Sequence, residues 1–198
     1  MTAQSPERII LDGRPHQLFA DPLYRLRKRC RLDLANPLSW STGNYRGYVG
    51  TWEISDRRLY LVHLCWDGWD GSSCEVPISG ELRQRLLRAA SASGFPIHAH
   101  WFSGIVRIAI GRRLVYSHHG WSSWFERERV IRFVAGDVVR DREVDTRAIL
   151  ERWLRRHPEA ADRLAPSNPD PLGPLTWFDE DDGDWEADWW PPDYIRRR

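Results

Sequence analysis

The sequence predicts a single α+β domain over residues 1–157, built on a curved, mainly antiparallel β-sheet with two helices, and a separate C-terminal extension over residues 158–198. Three observations predict it. Short stretches of alternating polarity recur around turn dipeptides, the pattern of antiparallel hairpins. Two stretches place apolar residues at helical spacing between capping signals. Beyond residue 158 the periodicity stops, and proline, acid and tryptophan take over.

The elements follow in order. "RIILDGRPHQLF" is a short hairpin, with Asp12-Gly13 supplying residues that tolerate positive φ. "ADPLYRLRKRCRLDLANPLSW", bounded by Pro22 and Pro37, is basic and poorly periodic and reads as loop with room for one helical turn. A second hairpin pairs residues 45–54 with 59–66 across Ser55-Asp56-Arg57-Arg58. On its second strand Leu59, Leu61, His63 and Cys65 face one way; Tyr60, Val62, Leu64 and Trp66 face the other. Both faces are largely apolar, which predicts a central strand covered on each side. Gly47 and Gly50 predict a bulge or the close approach of another backbone.

"WDGWDGSS" is a loop, and "ISGELRQRLLRAASASG" is a helix with Ser79 as N-cap, a stripe of Leu82, Leu86, Leu87 and Ala90, and Gly94 at its C-terminal stop. The strands "PIHAHWF", "IVRIAI", "RLVYSHH", "WFERERVIRFV" and "VVRDREV" come next, with turns at Gly111-Arg112 and Ala135-Gly136-Asp137. "DTRAILERWLRRHP" is the second helix, opened by Asp145 and stopped before Pro158, with Ile149, Leu150, Trp153 and Leu154 along one side.

Composition narrows the function classes. With 41% hydrophobic residues in 198, the chain can build a real core, and no apolar run approaches the length of a membrane span. Three cysteines, Cys30, Cys65 and Cys74, form no disulfide framework, and the N-terminus shows no secretory pattern, so a cytoplasmic protein with reduced thiols is expected. The net charge of +1 hides an asymmetry: residues 158–198 hold 11 acids and 4 bases, or −7, leaving +8 on the first 157. Nearly all of that positive charge is arginine, since Lys28 is the only lysine; arginine-favouring codons of a GC-rich genome explain the skew without phosphate binding. In the extension, acid is interleaved with Trp177, Phe178, Trp185, Trp189, Trp190 and Tyr194, a composition suited to docking rather than to solvation alone.

The segments "ILDG…LFADPL", "NYRGYVGTWEI…RLYLVHL", "HWFSGIVRIAIGRRLVYSHHG" and "FERE…F..GDVV" together resemble an uncharacterised family of small bacterial proteins with a W/Y-R-G-Y-V/I-x-T-W-E-I strand. The likeness covers about residues 9–140. It implies an architecture and brings no activity. His100 stands where that family tends to have Asp, Ala109 where it tends to have Pro, and the acidic extension has no counterpart in it.

Candidate sites compete with structural explanations. Arg46 and Glu53, seven apart on one strand, either form a polar binding rim with Tyr48 or Trp52, or pair with neighbouring strands around a core tryptophan; strand pairing is the commoner use. His63-x-Cys65 and His98-x-His100 each point to one face of a strand and would make a tetrahedral zinc site if the two strands met, though no standard zinc spacing is present. His98, His100, His118 and Glu126 would serve acid–base chemistry only in a common cleft. No nucleophile elbow surrounds Ser122 or Ser123, and no phosphate-binding glycine loop occurs. "YRLRKRCR" with Trp101, Phe102, Trp121 and Trp124 suits nucleic acid, or is a solvated arginine-rich face. A tethered anionic segment would meet any basic groove of its own domain at an effective concentration on the order of millimolar.

The expectation is therefore a non-enzymatic interaction protein that needs no cofactor and contacts no membrane. It would bind and neutralise or regulate another macromolecule, in the manner of an immunity protein or a phage-defence accessory. Its partner would be a protein, bound through Trp177, Phe178, Trp185, Trp189, Trp190 and Tyr194 with Arg46 and Trp101 assisting. The alternative is an enzyme or binding module acting on nucleic acid or nucleotides through a His-lined cleft on the sheet.

Overall fold

The computed structural model describes residues 3–35, 42–66, 76–116, 121–156 and Pro158, with residues 76 and 77 described by their backbone alone. The order is β1 (Glu7–Leu11), β2 (Arg14–Phe19), α1 (Tyr24–Cys30), β3 (Tyr48–Ser55), β4 (Arg58–Trp66), β5 (Val76–Pro77), α2 (Gly80–Ala89), β6 (Ile97–His98), β7 (Gly104–Val115), β8 (Trp124–Val134), β9 (Asp137–Asp145) and α3 (Thr146–Arg156). The α+β class with a mainly antiparallel sheet is as the sequence predicts.

The sheet curves until it closes. Its order runs β3-β1-β2-β7-β8-β9-β4, and β4 then pairs with β3, so seven strands form a ring. β5 and β6 add to β4 outside that ring. All pairs are antiparallel except β1 with β3. The seam between β4 and β9 is thin: one residue pair, Arg58 with Asp137, and backbone bonds from Leu59 N to Gly136 O and from Val138 N to Arg57 O. Every ring strand contributes to one core, for example Ile9, Leu18, Trp52, Leu61, Ile108, Phe133 and Val138. Leu26 of α1 and Leu86 and Leu87 of α2 complete it.

Three hairpin turns use two residues that both have positive φ: Asp12-Gly13, Asp56-Arg57 and Ala135-Gly136. This backbone continues the right-handed twist of the flanking strands, which is why such turns suit tight hairpins. Ser79 caps α2 as expected, its hydroxyl accepting from Leu82 N at 3.2 Å. Asp145 caps α3 in the same way, accepting from Ala148 N at 2.9 Å.

Several expectations need correction. Among the described residues there are three helices, not two, because the basic stretch forms α1; seven residues are too few to display a helical period. α1 buries Leu26 and ends where Arg31 turns left-handed at φ 48°. Gly94 does not stop α2; Ser91, at φ 52°, takes that position. "IVRIAI" and "RLVYSHH" do not form a hairpin: residues 104–115 are one long strand, β7, in which Gly111 at φ 83° makes a bulge instead of a turn. The bulge of the second hairpin lies in β4, not at Gly47 or Gly50. Thr51 pairs with His63 and Trp52 with Leu61, so Val62 is the extra residue. The alternation flips there, which turns Leu64 into the core and His63 out to solvent.

Candidate functional site

The most concentrated polar chemistry inside the barrel gathers around Tyr48. β1 alternates so that Glu7, Ile9 and Leu11 are buried, which carries a carboxylate inward on an apolar strand. Glu7 Oε2 accepts from Gly50 N and from Trp52 Nε1, both at 2.8 Å. A side chain at position 50 would place its Cβ 2.2 Å from that oxygen, so Gly50 answers the close approach of a side chain, not of a backbone. Arg46 Nε lies 3.5 Å from Glu7 Oε1, and its Nη2 donates to Ser5 O at 2.7 Å. The Tyr48 hydroxyl donates to Asp21 Oδ1 at 2.7 Å and accepts from Arg27 Nη1 at 2.9 Å. Two guanidinium groups thus face the Tyr48 ring, Arg27 at 4.9 Å and Arg46 at 5.7 Å from its centroid.

Burial dominates the acidity of this cluster. It raises the Glu7 carboxyl from the ordinary 4.5 to about 7, with Arg46 and the bonds from Trp52 and Gly50 pulling the other way and Asp21 adding repulsion. The Tyr48 phenol is pushed well above its usual range by burial and by the nearby Asp21 and Glu7 charges. A carboxyl that titrates near neutrality has the right acidity for proton transfer. Glu7 is nevertheless fully buried, and its Oε2 carries two bonds. As built, the cluster ties β1, the start of α1 and β3 to one another.

A second buried pair lies on the opposite, outward face of the sheet. Arg107 grips Glu128 with two bonds, Nε to Oε2 at 2.9 Å and Nη2 to Oε1 at 2.5 Å. The same guanidinium donates to Trp121 O at 3.0 Å and Ser123 O at 3.2 Å and lies over the Phe19 ring. The held segment places Trp121 against Arg46, with Arg46 Cζ 5.1 Å from its ring. Arg107 and Arg46 therefore fix one tryptophan at the barrel rim.

The residues singled out in the sequence are distributed as follows. Arg46 does pair with a neighbouring strand, but its partner is Glu7; Glu53 is exposed. Trp52 is a core residue. Trp101 is one too: buried, it donates from Nε1 to Pro22 O at 2.8 Å and is not presented for binding. His98 Nε2 lies 3.8 Å from Asp137 Oδ1 beside the barrel seam, and its ring is 6.3 Å from that of His100. Burial lowers the His98 pKa, with Asp137 opposing and Arg58 and His100 reinforcing.

Glu126 is elsewhere. His98 adjoins Gly136 just past the end of β8, whereas Glu126 lies near its beginning, roughly 25 Å away along the strand at about 3.3 Å per residue. Glu126 accepts from Arg112 N at 3.1 Å, which chiefly lowers its pKa, and also binds the Arg112 and Arg147 side chains. The four potential zinc ligands do not gather: His63 is exposed, and Cys65 Sγ is engaged with Val49 O at 3.5 Å. Among the described residues no three His, Cys, Asp or Glu side chains are placed to hold a metal. His118 and the extension from Trp177 to Tyr194 lie outside the described residues.

Sequence reasoning missed Glu7, Asp21 and the Arg107–Glu128 pair. The signal for Glu7 was available, since it shares the parity of Ile9 and Leu11. Asp21 and Glu128 carried none, because their partners are 27 and 21 residues away.

One exposed feature remains. From Tyr24 to Arg31 the chain holds five bases and no acid. Arg27 turns inward to Tyr48, while Arg25, Lys28, Arg29 and Arg31 are exposed. Among the described residues no ion pair engages Arg25, Arg29 or Arg31. Many other surface arginines are matched, as Arg58 is by Asp137, Arg127 by Glu143 and Arg129 by Asp141.

No family model matches this chain, and neither a curated protein nor a solved structure matches it. Among the described residues no helix is long and apolar enough to cross a membrane.

Proposed function

We propose that the protein is a non-enzymatic interaction protein: a rigid basic body carries an acidic, aromatic C-terminal segment that grips another macromolecule and neutralises or regulates it. The observation that carries this reading is how the body spends its carboxylates. Glu126 is committed to Arg112 and Arg147, Glu128 to Arg107, and Glu7 to Gly50 and Trp52. The His-lined alternative loses support because His98, on β6, adjoins Gly136 past the end of β8, whereas Glu126 lies near the beginning of β8. The segment brings a −7 charge and six large aromatics, and such aromatics act as anchors when they leave water for a partner's pockets. A partner with a basic surface fits, and neutralisation of the immunity-protein kind is the concrete form.

The test compares the native chain with a Trp185→Ala/Trp189→Ala/Trp190→Ala variant as baits in the native host. The reading expects a stoichiometric partner on the first that is absent from the second, at unchanged melting temperature. A partner retained by both baits contradicts it, as does a hydrolytic or nucleotide-binding activity that His98→Ala abolishes.

A further inference from the structure

The exposed face of α1 has a complement in the same chain. We propose that, without a partner, the acidic run "DEDDGDWEAD" at residues 179–188 docks on this face, so that a partner must displace it; this rests on the reading of the segment as a recognition device. The run places seven acids in ten residues, opposite a stretch from Tyr24 to Arg31 that holds no acid and exposes Arg25, Lys28, Arg29 and Arg31.

α1 is also the basic helix best prepared to receive it. On α2, Arg83 leans on Phe95, with its Cζ 5.3 Å from the ring, and Glu81 shares the exposed side. On α3, Arg147 is committed to Glu126, and Glu151 stands among the remaining arginines. The acids flanking α1 are occupied, Asp21 with Tyr48 and Arg27, and Asp33 with Ala35 N at 3.1 Å. Its own anchoring is firm: Leu23 and Leu26 are fully buried, and Arg27 bonds to Tyr48. An incoming anion therefore meets cations on a fixed scaffold.

Reach is not limiting. Twenty residues lie between Pro158 and Asp179 and span up to about 70 Å, against a radius of gyration of about 15 Å for a body of this size. Tethering at that length holds the run near α1 at an effective concentration on the order of millimolar, enough for a weak ionic contact to be populated.

The sequence supplies its own probe. Lys28, in the middle of α1, is the only lysine, so a zero-length carbodiimide, which joins carboxylates to amines, reports the neighbours of this helix in the full chain. The expected product is a monomer with an amide between Lys28 and an acid of residues 179–188. It should fall at least five-fold in an Arg25→Glu/Arg29→Glu/Arg31→Glu variant, and equally in 1 M salt, where the screening length is only about 3 Å. That variant should also bind the partner more tightly, because the competing contact is gone. Lys28 joined only to acids of the body, no adduct at all, or an adduct confined to cross-linked dimers overturns the proposal, the last assigning the face to a second copy. A partner captured by native chain and lost by the tryptophan variant, with no Lys28 adduct in the native chain, removes this inference alone and leaves the proposed function standing.

Discussion

Glu7 is fully buried, with a carboxyl that holds its proton to about pH 7 instead of the ordinary 4.5. The sign of the consequence is fixed by linkage. The unfolded chain releases this proton above about 4.5, whereas the fold retains it, so the stability tied to Glu7 is complete below that pH and is lost as pH rises through 7. Urea midpoints of the native protein should fall between pH 5 and pH 8 more steeply than those of Glu7→Gln, which cannot ionise. Equal slopes would mean that Glu7 titrates normally. The same oxygen sets the cost of Gly50→Ala: a Cβ 2.2 Å from Glu7 Oε2 and 2.9 Å from Trp52 Nε1 must push both aside. A loss of about 3 kcal/mol is expected in the same denaturation experiment. Arg107→Lys should cost nearly as much as Arg107→Ala, since an ammonium cannot hold both Glu128 oxygens and the Trp121 and Ser123 carbonyls at once.

At the scale of elements, the turns separate two effects that glycine combines. Gly13 and Gly136 both have positive φ, but a Cβ at Gly13 meets nothing within 4 Å, while one at Gly136 meets Ala99 O at 2.8 Å and His98 Nε2 at 2.7 Å. Gly13→Ala should therefore cost about 1 kcal/mol of backbone strain, and Gly136→Ala clearly more, read as the difference between their thermal midpoints. These turns were legible because Asp-Gly and Ala-Gly-Asp announce themselves; Asp56-Arg57 was legible only as part of a longer loop, since its second residue is not glycine. The helix caps at Ser79 and Asp145 were legible for the same local reason. α1 was not, because its stability comes from Leu26 entering the barrel core and from Arg27 reaching Tyr48, neither of which leaves a periodic trace. Nor was the β4 bulge: Val62 is an ordinary strand residue, and only pairing with β3 makes it the extra one.

For the whole molecule, curvature was legible and closure was not. Closure depends on the parallel pairing of β1 with β3 and on the single β4–β9 contact at Arg58 and Asp137, both made between residues remote in sequence. The polar cluster of Glu7, Arg46, Tyr48, Asp21 and Arg27 was hidden for that reason, as its members come from three separate stretches of chain that meet only in the closed ring. The division of charge was plain from composition: +8 on the first 157 residues and −7 on the rest. Within the described body, Arg58, Arg112, Arg127 and Arg129 are answered by acids, whereas Arg25, Arg29 and Arg31 at α1 are among the exposed arginines that no acid engages. On the proposed function, recognition belongs to the acidic, aromatic segment, and the barrel with its buried pairs supports it. The most direct measurement is the partner affinity of the native chain against Trp185→Ala/Trp189→Ala/Trp190→Ala, with melting temperatures taken in parallel. A loss of at least ten-fold in affinity at an unchanged melting temperature is predicted; unchanged affinity, or a melting temperature that falls together with it, would contradict the account.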